Sequence, residues 1–125
     1  MAQRKPTIAA SCHCGAIRIH VSRVSRTLTS CNCSICRRYG ALWAYYKADS
    51  VRLLYRRRDV EAYSWGDRML RFIRCRRCGC ILHHERTKQR PDGKIGVNVR
   101  NMDPAVVANA RVRHLDGART WKYLD

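Results

Sequence analysis

The eight cysteines of this chain fall into three short clusters, which carry the clearest chemical signal in the sequence. The clusters are Cys12 and Cys14, then Cys31, Cys33 and Cys36, then Cys75, Cys78 and Cys80. Close cysteines separated by long gaps are typical of chains that supply thiolates to zinc. The spacing therefore predicts zinc binding. The chemistry depends on which sites are closed by four protein ligands and which leave a position open.

The two outer clusters together predict one closed, structural site. Its four ligands would be Cys12, Cys14, Cys75 and Cys78. A glycine follows the second cysteine of each pair, at Gly15 and Gly79, and lets the backbone turn so that amide N–H groups face the sulfur atoms. Four thiolates from two distant segments would pin the N-terminal segment to the middle of the chain, as structural zinc sites do.

The middle cluster predicts an open site. Cys31, Cys33 and Cys36 could reach one Zn²⁺ and leave its fourth position to water or substrate, which is the arrangement of catalytic zinc. Three thiolates leave such a site net negative, which suits a soft sulfur ligand better than a hydroxide mechanism. Arg37 and Arg38 follow directly and could hold an anionic substrate. The alternative is a second structural site, closed by a ligand from elsewhere in the chain.

Cys80 and the histidines are harder to interpret. In an extended segment Cys78 and Cys80 point the same way, which favours Cys80 as a spare thiol near the first site. If Cys80 instead closes the middle site, both zinc ions are structural. His83 and His84 follow on a predicted strand, where only one of the two is expected to face inward. His114 stands among arginines and could be core, surface or substrate-facing.

The chain is strongly basic. It has 125 residues, with 26 Lys and Arg against 9 Asp and Glu, for a formal net charge of +17. A field of this sign attracts anions such as nucleic acid, acidic peptides or phosphorylated metabolites. Arginine predominates over lysine, which suits paired hydrogen bonds to carboxylate or phosphate. A solvated basic surface with no specific partner is an equally good interpretation.

The N-terminal residues are polar, so we expect no signal peptide, and no apolar run is long enough to span a membrane. A cytoplasmic location follows as the expectation. Thiols stay reduced in that compartment, which favours metal binding over disulfides. The length predicts a single domain over residues 1–125.

Most apolar segments alternate with a period of two, which predicts strands. The predicted strands are Ala16–Val21, Ala41–Tyr46, Val51–Tyr55, Ala62–Trp65, Met69–Ile73, Ile95–Val99 and a tail formed by Val112–Leu115 and Thr120–Tyr123. One helix is predicted at Ala105–Ala110, because Asp103 suits the N-cap and Pro104 the first helical position. Turns are predicted at Gly40, Asp49–Ser50, Gly66–Asp67 and Pro91–Gly93.

The order of motifs resembles that of the glutathione-dependent formaldehyde-activating enzyme family, to which centromere protein V is similar. The segments that carry the resemblance are Ser11–Gly15, Cys31–Arg38, Phe72 with Cys75–Gly79, and Val97–Arg100. The resemblance extends from about Ser11 to Trp121, so the zinc-binding domain of this type would have its core at about residues 11–121. Cys80 is extra to the family's seven-ligand pattern, and the high net charge is a second departure.

The resemblance implies a mainly β fold of several curled antiparallel sheets, a β-tent stapled by zinc, with one short helix. It implies two zinc ions per chain. The structural zinc would be held by Cys12, Cys14, Cys75 and Cys78, and the catalytic zinc by Cys31, Cys33 and Cys36. The implied activity is condensation of formaldehyde with glutathione to S-hydroxymethylglutathione, which in reverse is a carbon–sulfur lyase reaction. Glutathione would then be the co-substrate.

Two functional hypotheses follow. The first is an enzyme in which zinc on the middle cluster binds glutathione or a related thiol beside an aldehyde, with Arg37 and Arg38 pairing with the glutathione carboxylates. The second is a non-catalytic module with two structural zinc ions, whose basic surface binds nucleic acid or another polyanion. The enzyme is favoured, because the basic residues are spread over several segments and no groove-reading helix is evident.

Overall fold

The computed structural model describes residues 8–87 and 93–125, and these form a mainly β structure with two sheets and two α-helices. The strands are β1 (Ile8–Ser11), β2 (Arg18–Val21), β3 (Thr27–Cys31), β4 (Trp43–Lys47), β5 (Val51–Leu54), β6 (Val60–Tyr63), β7 (Leu70–Cys75), β8 (Ile81–Arg86), β9 (Lys94–Asn98) and β10 (Arg111–Leu115). The helices are α1 (Ser34–Tyr39) and α2 (Pro104–Val107). The expected mainly β class is confirmed. Of the predicted turn Pro91–Gly93, residues 91 and 92 lie outside the described part.

The smaller sheet has the strand order β1-β2-β5, and the larger sheet has the order β10-β3-β4-β9-β8-β7-β6. The sheets are not closed into a barrel. Pairing is antiparallel except between β10 and β3, which run parallel. The expectation of antiparallel sheets is therefore corrected at this one pair. The parallel register places Leu115 opposite Cys31, so the C-terminal segment leaves β10 beside the middle cysteine cluster.

The main core contains residues from both sheets. Ile17, Ile19 and Val21, the alternating residues in and before β2, are at most 1% exposed. They form one buried cluster with residues of the larger sheet such as Leu82 and Val97. Alternate residues along the strands of the larger sheet thus form one face that packs in this core. Its opposite face carries Trp43 and other aromatic residues beside the middle cysteines.

Both faces of β8 are buried, which corrects the expectation that only one of its histidines faces inward. His83 is 0% exposed and His84 is 3% exposed. They point to opposite faces of the sheet because they are adjacent in a strand. His83 Nε2 lies 2.8 Å from the Tyr55 hydroxyl on the main-core side. His84 lies on the other side, where Trp43 packs edge-on against its ring.

Helix α1 was not predicted from the sequence, and it contains part of the middle cysteine cluster. Cys33 is its N-cap, with the sulfur atom accepting a hydrogen bond from the Cys36 N–H. The helix ends at Tyr39 and its C-cap is Gly40, whose φ of +63° is left-handed and favours glycine. Only six residues long, α1 depends on these caps and on its buried cysteine, since so short a helix is unstable alone.

Helix α2 begins as the sequence predicts and ends sooner. Asp103 is the N-cap and its carboxylate accepts a hydrogen bond from the Ala105 N–H at 2.9 Å. The helix stops at Val107 rather than continuing to Ala110. Within the described part of the chain, no helix is both long and apolar enough to cross a membrane.

The motif Val97–Arg100 has a structural role that joins the larger sheet to α1. Asn98 is buried; its side-chain amide donates to the Ile81 carbonyl at 3.0 Å, and its side-chain oxygen accepts from the Leu42 N–H at 3.2 Å. Arg100 Nε donates to the Gly40 carbonyl at 2.6 Å, at the end of α1. These bonds fix the position of α1, and with it the middle cysteine cluster, relative to β9 and β4.

Candidate metal centres and the adjoining pocket

The structure brings the predicted closed set of four cysteines together. The sulfur atoms of Cys12, Cys14, Cys75 and Cys78 all lie within 4.8 Å of one another. The Cys14 sulfur is 3.6 Å from that of Cys12 and 3.6 Å from that of Cys75. Four sulfurs placed tetrahedrally at about 2.3 Å from Zn²⁺ would be separated by about 3.8 Å. The geometry therefore fits a tetrahedral metal ion. We call these four residues the outer cluster.

Two tight turns build the outer cluster. Gly15 N–H donates to the Cys12 carbonyl at 3.1 Å, and Gly79 N–H donates to the Cys75 carbonyl at 2.9 Å. Both glycines have left-handed φ angles, +82° and +78°, which confirms their predicted role at the turns. Cys12 and Cys75 are buried in the main core. A metal ion here would join β7 to the segment that follows β1.

Backbone N–H groups face the outer sulfurs. The Ile17 N–H donates to the Cys12 sulfur at 3.3 Å. The Cys80 N–H, followed by that of Cys14, lowers the pKa of Cys78 to about 5. The Ala16 N–H lowers the pKa of Cys14, but desolvation and the neighbouring thiols outweigh it and raise that pKa to about 11. The opposite shifts of Cys14 and Cys78 reflect thiols close enough for their titrations to be coupled.

The second group consists of Cys31, Cys33 and Cys36, whose sulfur atoms also lie within 4.8 Å of one another. We call it the middle cluster. All three are buried, at 7 to 8% exposure. Cys31 ends β3, Cys33 caps α1 and Cys36 lies in the first turn of that helix. No fourth His, Cys, Asp or Glu from the described residues joins the group. The described chain thus offers three ligands here, which fits an open tetrahedral site.

Each sulfur of the middle cluster accepts an N–H hydrogen bond. Cys33 accepts from the Cys36 N–H at 3.4 Å, and Cys36 accepts from the indole N–H of Trp43 at 3.4 Å. The Cys36 thiol, followed by backbone N–H groups that include Gly117, lowers the pKa of Cys31 to about 6. The pKa of Cys36 is raised, because it holds the proton that stabilises Cys31 and because it is buried. The N–H donors therefore stabilise negative charge on the sulfur atoms that they face.

A C-terminal loop, residues 116–122, covers one side of the middle cluster. Asn32, between two of the cysteines, holds it: the side-chain amide donates to Asp116 Oδ1 at 3.0 Å, and its oxygen accepts from the Ala118 N–H at 2.9 Å. The loop closes on itself, because the Trp121 N–H donates to the Asp116 carbonyl at 2.8 Å. Trp121 has a left-handed φ of +59°, which is strained for this residue type. This conformation places the indole at the pocket described next.

The middle cluster opens into a pocket of about 320 Å³. Its described lining is largely aromatic and aliphatic: the three cysteines, Ile35, Trp43, Tyr45, Trp65, Gly66, Asp67, Leu70, Phe72, His84, Leu115 and Trp121. Trp65 is 45% exposed and Trp121 is 67% exposed. The pocket thus has a buried end at the thiols and two exposed indoles among its walls.

The floor of the pocket is one row of residues across the larger sheet. Phe72 pairs with His84, His84 with Gly96, and Gly96 with Tyr45. The missing side chain at Gly96 makes room for the His84 ring, since an added Cβ would overlap that imidazole. Desolvation lowers the pKa of His84 to about 3, so the ring is neutral near pH 7. Its Nδ1 is buried without a hydrogen-bond partner.

The predicted anion-binding residues do not reach this pocket. Arg37 and Arg38 lie on the exposed side of α1, and neither lines the pocket. Arg38 donates to the Ser34 carbonyl at 2.7 Å and lines a separate shallow hollow with Tyr63 and Trp65. Their predicted contact with substrate stays a prediction.

The remaining sequence candidates lie outside both clusters. Cys80 is half-buried beside the outer cluster, where it contacts Cys78, as the spare-thiol interpretation expected. His114 is exposed and its Nδ1 lies 2.7 Å from a carboxylate oxygen of Asp125. Sequence reasoning missed His84, Asn32, Gly117, Trp65 and Trp121 as parts of the site. A signal existed only for Asn32, which lies between two predicted ligands.

Fold and site together define a mainly β protein with two thiol clusters that could each hold a metal ion, one of them open to an apolar pocket. The family profile described as glutathione-dependent formaldehyde-activating enzyme matches residues 7–115. The chain belongs to this family. It is also similar to the crystal structure of a Rhodobacter sphaeroides protein at 30% identity and a TM-score of 0.69, over 84% of this chain and 99% of that chain.

Proposed function

We propose that the protein is a zinc-dependent carbon–sulfur lyase-type enzyme that joins a small aldehyde to a thiol at the middle cluster. The observation that carries this proposal is that the three clustered thiols line a pocket. No described residue supplies a fourth metal ligand to them. The outer cluster, of which Cys12 and Cys75 lie in the main core, would hold a second, structural zinc ion. Formaldehyde and glutathione are the first substrates to test, because the family is named for them.

The reaction would proceed by addition of sulfur to a carbonyl. The thiol sulfur attacks the aldehyde carbon, a carbon–sulfur bond forms, and the carbon–oxygen π bond breaks. The proton lost by the thiol ends on the former carbonyl oxygen, so formaldehyde gives an S-hydroxymethyl product. The reverse reaction cleaves the carbon–sulfur bond and is the lyase direction.

Zn²⁺ held by Cys31, Cys33 and Cys36 would supply a fourth coordination position that lowers the pKa of a substrate thiol. The chain's own groups support this arrangement. The N–H donors of Gly117, Cys36 and Trp43 stabilise the negative charge on the three ligands. Phe72 and Leu115 give the pocket apolar walls, which would reduce the access of water to the bound aldehyde. A reducing compartment, such as the cytoplasm predicted from the sequence, would keep all of these thiols available.

The test follows ¹³C-formaldehyde by NMR exchange spectroscopy with zinc-loaded protein and a thiol. We expect the rate of S-hydroxymethyl formation to exceed the spontaneous rate. Cys33→Ser should reduce it to that rate, while Cys80→Ser retains it, because Cys80 lies outside the middle cluster. Native mass spectrometry of the same samples counts zinc and checks folding. A wild-type rate equal to the spontaneous rate with every thiol tested, with two zinc ions bound, would contradict the proposal.

A further inference from the structure

We infer that the thiol taken by this pocket is apolar, aromatic in character and free of carboxylates, which makes glutathione a poor substrate for this chain. The inference rests on the proposed function, because it assigns the substrate class of the same site. It rests on the aromatic and aliphatic side chains that line the pocket and on the lack of Lys and Arg in the described lining.

The described lining of the pocket contains no Lys or Arg. Apart from the three cysteines, its one acidic side chain is Asp67, which lies in the exposed turn between β6 and β7 and accepts a hydrogen bond from the Met69 N–H at 3.0 Å. His84 is neutral, as described above, and so adds no positive charge. Glutathione carries two carboxylates, and proteins bind carboxylates with cationic groups or several N–H donors.

Three arginines near the pocket have contacts outside it. Arg74 is paired with Glu61 at 2.7 Å. Arg38 is bonded to the Ser34 carbonyl. Arg86 lines a different hollow together with Glu85 and Lys94, although its positive charge acts to lower the pKa of both Tyr45 and His84. The net charge of +17 therefore attracts anions to the surface, whereas the described residues place no Lys or Arg in the lining of this pocket.

Two N–H donors beside the buried thiols are already used and do not serve a carboxylate. The indole N–H of Trp43 is used by the Cys36 sulfur. The N–H of Gly117 is directed at Cys31. A carboxylate placed among Phe72, Leu70 and Leu115 would lose its hydration without a compensating hydrogen bond, which disfavours binding. The pocket thus opposes an anionic substrate near its apolar walls.

The same walls favour an aromatic ligand. Trp65 and Trp121 are exposed indoles, at 45% and 67%, that flank a pocket with Tyr45 and Phe72 at its base. Aromatic rings gain burial and edge-on or offset contacts by covering such surfaces. The volume of about 320 Å³ lies at the small end of ligand pockets, so it suits one ring with a short thiol arm.

A matched pair of thiols tests the inference. The probes are 4-methylphenylmethanethiol and 4-(mercaptomethyl)benzoic acid, which are similar in size and differ in the carboxylate. Dissociation constants for the zinc-loaded protein are measured by calorimetry at about 0.15 M salt, so that charges on the surface are screened. We expect the carboxylate to weaken binding at least about tenfold, and glutathione to bind no better than the acid. Equal binding of the two probes, or tighter binding of glutathione than of the methyl compound, would overturn the inference.

Two variants sharpen the test. Leu70→Arg places a cation on the wall and should restore binding of the acid relative to the methyl compound, whereas Leu70→Met should not. Trp65→Ala should weaken binding of the methyl compound several-fold with little effect on zinc content. If neither substitution changes the relative affinities, the ligand does not occupy this pocket and the inference is wrong.

The ¹³C-formaldehyde assay separates this inference from the proposed function. Acceleration with glutathione but not with the methyl compound would support the proposed function and overturn the inference. Greater acceleration with the methyl compound than with glutathione supports both, whereas equal or greater acceleration with glutathione overturns the inference. If no thiol is accelerated, the proposed function fails, and the matched binding pair still decides which chemistry the pocket accepts.

Discussion

Gly117 lies directly against Cys31, although 85 residues separate them in the sequence: a Cβ added to the glycine would come within 2.5 Å of the Cys31 sulfur. The same Cβ would lie 3.1 Å from the Cys33 Cβ and 3.3 Å from the Trp121 ring. The backbone N–H of Gly117 donates to Cys31 at this close approach. A side chain here would separate the loop from the thiols and remove that hydrogen bond.

Gly117→Ala should therefore weaken metal binding at the middle cluster and leave the outer cluster intact. We expect native mass spectrometry to show zinc falling from two ions to one per chain, since the loss of a group that orients a ligand costs about 10- to 100-fold in metal affinity. Ala118→Ser, an exposed substitution in the same loop, is the control and should retain both ions. Two ions at full occupancy in Gly117→Ala would show that the loop does not support the site.

Gly96→Ala should destabilise the fold by overlapping the His84 ring. Overpacking of this kind costs about 1–3 kcal/mol, because the imidazole is enclosed by Trp43, Tyr45 and Phe72 and has little room to move. Thermal unfolding of the zinc-loaded protein measures the loss.

The double variant Gly96→Ala with His84→Ala tests the cause of that loss. Removing the ring should make the added methyl group less costly than in wild type, giving a favourable coupling free energy. If the losses in unfolding free energy of the two single variants simply add in the double variant, Gly96→Ala acts through the backbone and not through contact with His84.

Local pattern was sufficient to predict much of the framework. The alternation in β2 and the Asp103–Pro104 start of α2 depend on neighbouring residues, and both are present in the structure. The two cysteine sets also carry their own signal, because metal ligands must be of a few residue types at close spacing. Helix α1 escaped prediction because six residues are too few to show a helical period, and its N-cap is a cysteine thiol.

The rest of the site depends on contacts between distant segments. The burial of His84 follows from the strands that flank β8, and nothing in the local sequence indicates that both faces are covered. Gly117 and Trp121 reach the middle cluster because β10 pairs in parallel with β3, a pairing that alternation cannot reveal. The position of Arg37 and Arg38 away from the pocket depends on the turn of a helix that was not predicted.

Cys75 and Cys80 should respond very differently to substitution, although they are five residues apart. Cys75 is 1% exposed, belongs to the outer cluster and lies in the main core, so Cys75→Ser removes a ligand from a site that joins two segments. We expect the chain to lose the outer zinc and to unfold at markedly lower temperature. Cys80→Ser should retain two zinc ions and a near-wild-type melting temperature. Loss of a zinc ion in Cys80→Ser would assign Cys80 to a metal site.

Selective removal of zinc from the middle cluster should make Cys31 its most reactive thiol. The neighbouring Cys36 thiol and backbone N–H groups lower the pKa of Cys31 to about 6, so near pH 7 it is mostly thiolate, which is the nucleophilic form. The pKa of Cys36 is raised, so that residue stays protonated. Brief alkylation with iodoacetamide, followed by peptide mass spectrometry, should find the label on Cys31 first. Labelling should slow as the pH falls below about 6, because a lowered pKa means that the thiolate is lost only there. Preferential labelling of Cys36, or a rate at Cys31 that rises only above pH 8, would contradict this description of the middle cluster.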